Sequence, residues 1–388
     1  MKTKADVVII GGGIIGASVA YQLAVAQAAK VDVLLLEQYT PASGTTGKSV
    51  AVLEFQHATR HAITLRQRSM AIYQRLFHDP DLGVRLQRLG GVLLATTPKA
   101  AQAQRKAMHL QQRLGIAVDW LEPAQLKAWV PALQVEDLAG ATYCPDEGYV
   151  DPYRLVMALL QEAKRCGVTV CTGTTVTGIA VQRGRVHSVH TNRGAIAARW
   201  VVDAAGPWAK RVAAMVGVEI PLAHTKCQIL PVRPHTPFPY TIPWVLDRQS
   251  GFYLREDAGG IILLGRLVHA FHADHLLDPD AYVGFSQQPD EEFAAFAARS
   301  VQQRVPPLTE GRVQRGWAGL RAVTPDTRPL VGETPVEGFL LAAGFGGYGI
   351  QLGAVAGQVL AHLILGQKAS PELDLWSLSR FTRGSCRL

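Results

Sequence analysis

The chain has 388 residues, 48% of them hydrophobic, which is enough apolar material for two intertwined domains with sizeable cores. Its formal net charge is +8 without any run of five like charges, so we interpret the basic balance as an ordinary surface rather than a nucleic-acid tract. Five cysteines without a CxxC pair argue against a disulfide framework, and no apolar stretch reaches the ~18–20 residues of a spanning helix, so we expect a soluble cytoplasmic protein.

The N-terminal region has the order strand, glycine turn, helix, strand, acid. The parts are an apolar run at 7–10, the glycines from Gly11 to Gly16, a helical stretch to about Ala28, a second apolar run at 31–36, and Glu37. This order is typical of the dinucleotide-binding fingerprint in its full context. An acid at the end of the second strand disfavours a 2′-phosphate, so FAD or NAD fits better than NADP.

The residue types of this fingerprint have separate physical roles. Gly11 permits the tight turn, Gly13 lets a pyrophosphate approach the backbone, and Gly16 lets the helix pack close to the sheet. The helix start offers free N–H groups to the phosphates, and the carboxylate of Glu37 can accept hydrogen bonds from ribose hydroxyls. The predicted cofactor contacts here are Gly11, Gly13, Ile14, Ile15, Gly16, Glu37 and Gln38.

A polar loop at 43–49 follows the fingerprint. Its small hydroxyl side chains, glycines and single lysine are suited either to phosphate or flavin contacts or to a solvated surface loop, and the residues alone do not decide between the two. The candidate cofactor contacts in this loop are Thr45, Thr46, Lys48 and Ser49.

The middle of the chain alternates helical and strand patterns. Helices are predicted over 57–78 and 100–114, and strands over 90–97 and 118–121. Asp151 is a good N-cap before Pro152, and this predicts a helix that ends near Gly167. Further strands are predicted over 168–171, 175–182, 185–191 and from 201, where the chain enters a glycine turn and a helix ending near Gly217.

Residues 218 to 313 have a different character and read as a substrate-side, mainly β insert. Prolines are dense from 231 to 243, the clear strands are 251–255 and 261–265, and a helix is predicted over 290–301. A strand around Cys227 is only loosely indicated, and Cys227 itself is interpreted as a packing residue. The first layer is expected to resume at about Gln314, with a strand at 340–343, a glycine loop at 344–349 and an apolar helix over 350–365.

Four blocks then occur in a familiar order. They are the N-terminal fingerprint, DEGYVDP at 146–152, VDAAGPW at 202–208, and the C-terminal runs GWAGLRAVTPDTRPLVGE at 316–333 and AGFGGYGIQ at 343–351. Together they resemble the FAD-dependent D-amino-acid oxidase family, which includes glycine oxidase, sarcosine oxidase and dye-linked proline and opine dehydrogenases. The resemblance implies FAD rather than NAD, and oxidation of a carbon–nitrogen bond in an amine or amino acid.

The resemblance also implies a fold. We expect an α/β protein with an FAD-binding Rossmann-like domain of the glutathione-reductase type and a discontinuous substrate domain with a mixed β-sheet. The FAD-binding domain is predicted to comprise 1–85, 144–217 and 314–388, and the substrate domain 86–143 and 218–313. Additional FAD contacts are expected from Val176, Ala205, Gly206, Trp208, Gly344, Gly346, Gly347, Tyr348, Gly349, Ile350 and Gln351.

The resemblance also implies a set of catalytic residues. Arg321 is the candidate for gripping a substrate carboxylate with two hydrogen bonds, the alternative being a structural ion pair. Tyr253 resembles the family's active-site tyrosine, although packing on the sheet is almost as good a reading. Tyr348 stands where many relatives have histidine, and Gln351 stands where sarcosine oxidase has a carboxylate-binding lysine. Because Gln351 is neutral, carboxylate binding is expected to fall to Arg321.

Two departures from sarcosine oxidase bear on the flavin. No cysteine occurs among Ala318, Gly319 and Leu320, so the FAD is expected to be non-covalent. Leu263 takes the place of an oxygen-activating lysine, which favours a dehydrogenase that passes electrons to a partner or quinone. The predicted reaction is hydride transfer from a secondary amino acid, of proline, sarcosine or opine type, to flavin N5, giving an imine.

Several alternatives stay open. The protein could be a peroxide-forming oxidase like glycine oxidase, a flavin domain acting on a modified tRNA base, or a non-catalytic FAD-binding assembly protein. As a dehydrogenase it could form a hetero-oligomer with an electron-transfer subunit, and such a partner could hold it at a membrane periphery. Nucleic acid is not the expected partner. A metal site formed by His269, His272, His275 and Asp274 is disfavoured, because these residues lie in a predicted loop without cysteine support.

Overall fold

The computed structural model describes residues 2–26, 31–267, 276–277, 284–368 and 370–381. The strands, in chain order, are β1 (Lys4–Ile10), β2 (Val33–Leu36), β3 (Val52–Leu53), β4 (Gln87–Arg88), β5 (Gly91–Ala95), β6 (Asp119–Leu121), β7 (Gly140–Cys144), β8 (Gly148–Tyr149), β9 (Thr169–Cys171), β10 (Val176–Gln182), β11 (Arg185–Thr191), β12 (Gly194–Asp203), β13 (Ala223–Arg233), β14 (Trp244–Asp247), β15 (Phe252–Asp257), β16 (Ile261–Arg266), β17 (Arg312–Val313), β18 (Trp317–Val323), β19 (Leu330–Glu333) and β20 (Phe339–Ala343). The helices are α1 (Ile14–Val25), α2 (Arg60–Phe77), α3 (Pro98–Arg113), α4 (Pro123–Trp129), α5 (Pro152–Arg165), α6 (Ala209–Ala214), α7 (Glu291–Arg304), α8 (Gly349–Ile364) and α9 (Glu372–Trp376).

Among these residues, eight strands form the sheet that carries the N-terminal fingerprint. Its main path is β10-β11-β12-β1-β2-β9, with β20 also paired to β12 and β19 to β20. β1 runs parallel to both β2 and β12, as the helical crossover between β1 and β2 requires. All four residues of β2 are buried, because Val33 and Leu35 pack with residues of α1 and α5 on one face, and Leu34 and Leu36 pack with residues of β10 to β12 and α6 on the other.

Nine strands form a second sheet, which contains most of the strands of the region predicted as the substrate domain. Its path is β17-β13-β16-β15-β14-β5-β7-β6, and β18 pairs with β13. The pairing of β13 with β18 is antiparallel and places Thr225 opposite Arg321 and Cys227 opposite Gly319. A small sheet, β3-β8-β4, lies apart from the two large ones.

The structure confirms one expectation about the nine-stranded sheet and corrects another. The strand that the sequence indicates only loosely around Cys227 is present, and it is the eleven-residue strand β13. Polar residues and Pro231 interrupt its apolar pattern, so its strand conformation depends on neighbours that are distant in sequence. β18 was expected in the first layer, which should have resumed at about Gln314, but it pairs in the nine-stranded sheet, and that layer resumes with β19.

Local signals predicted most other elements, with shifted ends. Asp151 caps α5 by accepting a hydrogen bond from Arg154 N at 2.9 Å, as expected. α2 begins at Arg60 rather than His57, because the Thr59 hydroxyl caps it by accepting from Ala62 N at 3.2 Å. The predicted end of the first helix at Ala28 lies outside the described residues. In the described part of the chain, no helix has both the length and the apolar character needed to cross a bilayer.

Candidate active site

The glycines of the fingerprint form a cradle that other residues could not make. Gly11 has φ of +109°, and a Cβ there would lie 2.5 Å from the carbonyl oxygen of Ala204. A Cβ on Gly16 would lie 2.0 Å from the carbonyl oxygen of Gly11. The turn and the close helix contact therefore both require glycine, and the N-cap residue of α1, Gly13, has no side chain of its own to cap the start of the helix.

The carboxylate of Glu37 lies at the mouth of this cradle. Its Oε2 accepts from Gly12 N at 2.8 Å and its Oε1 accepts from Tyr39 N at 2.8 Å. Each oxygen keeps lone-pair capacity for a ribose hydroxyl. Beside it, the Thr46 hydroxyl accepts from Ile14 N at 3.1 Å, next to buried Ile15. These donors and acceptors fit an adenine dinucleotide, whose pyrophosphate the start of α1 would hold.

The loop at 43–49 is bonded to the strand that carries Arg321. The Thr45 hydroxyl donates to the carbonyl of Leu320 at 2.7 Å, and the Trp317 indole donates to the carbonyl of Lys48 at 2.9 Å. Lys48 Nζ donates to Gln287 Oε1 at 2.8 Å, and burial lowers the pKa of this lysine. Within the loop, the Ser49 hydroxyl accepts from Ala51 N at 3.0 Å. The loop thus bridges the two large sheets.

The other predicted cofactor contacts flank the cradle. Glu37 N donates to Cys171 O at 2.9 Å and Thr174 N donates to Glu37 O at 2.9 Å, so the segment leading to Val176 lies beside Glu37 and half-buried Gln38. After β12, a short turn of 3-10 helix contains Gly206 and Trp208 and is preceded by Ala205. The Trp208 ring lies 3.5 Å from the Cβ position of Gly44, at the edge of the same loop.

The C-terminal glycine loop, at 344–349, lies beside Arg321 and leads into α8. Gly346 N donates to the carbonyl of Ala322 at 2.9 Å, and the Cβ position of Gly347 lies 3.3 Å from Arg321 Cζ. Gly344 has φ of +73° and Gly349 is the first residue of α8. The Ile350 carbonyl accepts from the Tyr73 hydroxyl at 2.7 Å, which fixes the start of α8.

Arg321, Cys227 and Tyr253 form one group, the Arg321 cluster. Arg321 Nη2 lies 3.2 Å from Cys227 Sγ, which lies 3.9 Å from the Tyr253 hydroxyl. No carboxylate of the described residues lies within 4 Å of Arg321, so the ion-pair alternative finds no partner there. The Cys227 thiol raises the pKa of Arg321, and burial raises the pKa of Tyr253. Cys227, which the sequence indicates as a packing residue, thus also contacts the polar groups of this cluster.

Tyr253 owes its position to a glycine on the neighbouring strand. The two residues Tyr253 and Gly265 are paired across β15 and β16, and a Cβ on Gly265 would lie 2.1 Å from the tyrosine ring. The ring also lies 5.2 Å from that of Trp244, between centroids, and Tyr253 is 4% exposed. The ring thus packs on the sheet while its hydroxyl lies toward Cys227, and the active-site role of Tyr253 stays a prediction.

A second group surrounds Tyr348, and we name Tyr348, Gln351, Glu54, His57 and Arg66 the Tyr348 cluster. The Tyr348 ring lies 6.0 Å from the His57 ring and 4.9 Å from the Arg66 guanidinium. The Gln351 amide donates to the carbonyl of Glu54, whose Oε1 lies 3.3 Å from His57 Nε2. Gln351 thus supports the Glu54 segment. Sequence reasoning missed Glu54, His57 and Arg66, which belong to no recognised motif.

The ionisation of the Tyr348 cluster follows from its burial and its charges. Burial opposes charge on Glu54, but His57 and the charges of Arg248 and Arg66 outweigh it and lower the pKa of Glu54 to about 2. Burial, helped by Arg66 and Arg248, lowers the pKa of His57 against the opposing effect of Glu54. At neutral pH the cluster therefore contains an ionised Glu54 and a neutral His57.

Glu147 holds the backbone that carries this cluster. Its Oε1 accepts from Phe55 N at 2.6 Å and Gln56 N at 2.9 Å, and its Oε2 accepts from Gln56 Nε2 at 3.2 Å. Glu147 is 1% exposed and lies on Gly91, where a Cβ would overlap its carboxylate. Burial and the charge of Glu54 raise the pKa of Glu147 to about 8, so it is protonated at neutral pH.

Residues 6–363 match the family model described as FAD dependent oxidoreductase. The chain belongs to this family, the D-amino-acid oxidase family of flavoproteins, and it has the family's mixed α/β fold and FAD cofactor. His269, His272, His275 and Asp274, considered above for a metal, lie outside the described residues.

Three similar proteins illustrate the sequence identity and coverage of these comparisons. Mouse sarcosine dehydrogenase, a mitochondrial protein, is 30% identical over 387 residues, which cover 97% of this chain and 41% of that protein. Glycine oxidase of Geobacillus kaustophilus is 28% identical over 397 residues, with 98% of each chain covered. The crystal structure of L-proline dehydrogenase from P. horikoshii superimposes with a TM-score of 0.88, at 25% identity and with 100% of both chains covered. The chain spans less than half the length of the sarcosine dehydrogenase that it matches.

Proposed function

We propose that this protein oxidises the carbon–nitrogen bond of an amine that carries a carboxylate, and that a secondary amino acid is the preferred form. The observation that carries the proposal is Arg321, a partly buried guanidinium whose side-chain partner is the Cys227 thiol rather than an acid. A guanidinium can bind a carboxylate through two parallel hydrogen bonds. Relatives named sarcosine dehydrogenase, glycine oxidase and proline dehydrogenase support this class of substrate.

The chain's own residues bind and orient the substrate in this proposal. Arg321 holds the carboxylate and the Tyr253 hydroxyl limits its rotation, so that the carbon beside the nitrogen is presented in a fixed geometry. The N-terminus of α8, together with the N–H groups of the glycine loop, favours negative charge next to it. When bound, FAD supplies the hydride acceptor for this reaction.

The electron acceptor is the second part of the proposal. Leu263 on β16 is buried with Tyr253 and Trp244, so this position presents no cation to the site and does not electrostatically favour superoxide. We therefore assign the protein as a dehydrogenase that passes electrons from non-covalent FAD to a quinone or partner subunit. One observation favours the rival, a peroxide-forming oxidase. The partly buried Lys48 lies against Gly319, where a Cβ would be 3.2 Å from its own Cβ, and it has no acidic partner among the described residues.

Substitution of Arg321 tests substrate binding. Arg321→Met is expected to raise KM for a carboxylate substrate at least about tenfold, because a charge-assisted hydrogen bond contributes about 1.5–3 kcal/mol. Arg321→Lys should recover part of the loss, and the exposed Arg312→Met is the matched control. The measurement is anaerobic bleaching of the flavin by a panel of primary and secondary amino acids. An unchanged KM in Arg321→Met would contradict the assignment.

Reoxidation of the reduced flavin separates the two acceptors. We expect slow reoxidation in air, fast reoxidation by a quinone analogue or dye, and a colourless pellet after acid precipitation because the FAD is not covalently bound. Rapid stoichiometric peroxide formation would instead favour the oxidase. If Lys48→Met abolished that peroxide formation, Lys48 would be the responsible cation.

A further inference from the structure

The Cys227 thiol lies between the two side chains that we assign to the substrate carboxylate. Its Sγ is 3.2 Å from Arg321 Nη2 and 3.9 Å from the Tyr253 hydroxyl. Among the described residues, neither the guanidinium of Arg321 nor the hydroxyl of Tyr253 has another hydrogen-bond partner. A single sulfur atom therefore joins the two groups.

A third polar group on the same face of the sheet lacks a partner. Thr225 and Cys227 are two residues apart on β13, so their side chains lie on one face, and Arg321 on β18 is directly opposite Thr225. Thr225 is 1% exposed, and its hydroxyl has no hydrogen-bond partner in the described part of the chain. A buried hydroxyl without a partner is costly, so the acceptors that these residues supply do not satisfy the donors of this face.

The thiol is a poor match for the donors around it. Sulfur is a weak hydrogen-bond acceptor, whereas a carboxylate offers two oxygens with about four lone-pair sites. Hydrogen bonds from a guanidinium to a carboxylate are charge-assisted and roughly twice as strong as those between neutral groups. A carboxylate in the place of the thiol would therefore satisfy Arg321 and Tyr253 better than Cys227 does. The thiol can leave that place, since it turns about one single bond, χ1.

We infer that Cys227 is a specificity-determining residue of the carboxylate subsite, whose thiol takes the position of the substrate carboxylate and turns away when the carboxylate binds. This inference rests on the proposed function and adds a residue to it. It has two consequences. A carboxylate held by Arg321 brings the atoms attached to it beside the sulfur, and a side chain at position 227 that cannot turn away blocks carboxylate binding.

Two alkylating reagents that differ in one charge test the first consequence. Iodoacetate has the carboxylate that Arg321 would bind, and iodoacetamide has a neutral amide of nearly the same shape. On an ordinary exposed thiol iodoacetamide is the faster reagent, because the attacking thiolate repels a carboxylate. In the oxidised holoenzyme we expect the reverse order at Cys227, with iodoacetate faster by at least about tenfold and its rate saturating with concentration.

Peptide mass spectrometry measures the two rates at each cysteine separately. The exposed Cys166 is the internal control and should keep the ordinary order. Propionate should protect Cys227 while propionamide should not, and Arg321→Met should remove the advantage of iodoacetate. The inference is overturned if Cys227 reacts with neither reagent, if iodoacetate has no advantage there, or if that advantage neither saturates nor responds to propionate.

Two substitutions of Cys227 test the second consequence without alkylation. Valine is branched at Cβ and stiff about χ1, so a methyl group stays between Arg321 and Tyr253, whereas alanine leaves that position open. Titration of the oxidised holoenzyme with propionate, followed by the flavin absorbance spectrum, should give a Kd at least about tenfold higher in Cys227→Val than in wild type. Cys227→Ala should bind propionate at least as tightly as wild type. Weaker binding in Cys227→Ala, or unchanged binding in Cys227→Val, would show that the thiol does not give way to a carboxylate.

The failure of this inference can be distinguished from the failure of the proposed function. If amino acids bleach the flavin while propionate leaves the alkylation of Cys227 unchanged, the inference fails and the proposed function stands. If propionate protects Cys227 while no amine or amino acid bleaches the flavin, the carboxylate subsite stands and the proposed oxidation fails.

Discussion

Among single residues, Glu147 shows how a protonated acid can hold the backbone of a site in place. Its carboxyl accepts hydrogen bonds from the backbone of Phe55 and Gln56, and so fixes the segment that carries Glu54 and His57. The sequence singled out this residue only as part of the DEGYVDP block. Its role depends on Gly91, which leaves room for the carboxyl from a strand that is distant in sequence.

The raised pKa of Glu147 predicts how stability depends on pH. In the unfolded chain the carboxyl loses its proton above its ordinary pKa of 4.5, whereas in the folded protein it keeps the proton up to about 8. The free energy of unfolding should therefore fall between these pH values, by up to about 1.4 kcal/mol per pH unit. Glu147→Gln, which cannot titrate, should remove this part of the slope in urea unfolding measured from pH 5 to 9.

Asp203 supplies the control for this experiment. It is also fully buried, and burial raises its pKa to about 8, so it contributes a slope of the same sign. Asp203→Asn should remove its own contribution and leave that of Glu147. A pH dependence of stability that is the same in wild type and Glu147→Gln would show that Glu147 titrates normally in the folded protein.

The predictability of the site residues follows from how each of them is positioned. Arg321, Tyr253, Tyr348 and Gln351 occur in runs whose order along the chain is characteristic, so they could be proposed from sequence, and their assigned roles stay predictions. Glu54, His57, Arg66 and Cys227 reach the site through tertiary contacts. Cys227 meets Arg321 only because β13 pairs with β18, and the local sequence pattern indicates β13 only loosely and that pairing not at all.

At the scale of elements, α1 and α8 are the central helix pair. Ten consecutive residues of α1, from Ile14 to Leu23, are buried, so the helix has no exposed face over that length. The two helices approach closely at Gly357, where a Cβ would lie 2.6 Å from the backbone of Ser18. Because α1 starts at the fingerprint and α8 starts at the glycine loop, this contact fixes both ends of the cofactor site relative to each other.

Substitution of Gly357 should therefore cost stability although alanine is the better helix former. Alanine gains up to about 1 kcal/mol in a helix interior over glycine, but overpacking against a backbone typically costs about 1–3 kcal/mol. We expect Gly357→Ala to lower the free energy of unfolding and the FAD occupancy of the purified protein. Denaturant unfolding and the ratio of flavin to protein absorbance measure the two effects.

Gly353, one turn earlier in α8, is the matched control. A Cβ there would lie 3.3 Å from a methylene of Ile14 and 3.4 Å from Ile15, which are side-chain contacts that can adjust. Gly353→Ala should be neutral or slightly stabilising. Equal losses in the two variants would mean that helix packing in general, and not the backbone contact at Gly357, sets the cost.

For the whole molecule, the chain passes repeatedly between the two large sheets. β1 and β2 belong to one sheet, β5 to β7 to the other, β9 to β12 to the first again, and β13 to β18 to the second before β19 and β20 return. Neither sheet is a continuous segment, so the site between them forms only when the complete chain has folded.

This organisation predicts a large effect of the cofactor on stability. A ligand that binds only the folded state adds about 2.7 kcal/mol to the free energy of unfolding at a concentration of 100 times its Kd. Titration of FAD into the apoprotein should therefore raise Tm progressively in thermal unfolding followed by circular dichroism. FMN, which lacks the adenosine half that the cradle and Glu37 would hold, should shift Tm much less. Equal shifts would argue against the fingerprint as the main source of affinity.

The hydrogen bonds that join β18 to the loop at 43–49 and to the glycine loop at 344–349 have one more consequence. The Thr45 hydroxyl donates to the carbonyl of Leu320 and Gly346 N donates to that of Ala322, so the backbone on either side of Arg321 is attached to a loop that is predicted to contact the cofactor. We therefore expect occupancy of either site to bias the geometry of the other. Thermodynamic linkage then makes the effect reciprocal. If a carboxylate inhibitor at Arg321 tightens FAD binding by some factor, FAD must tighten binding of that inhibitor by the same factor.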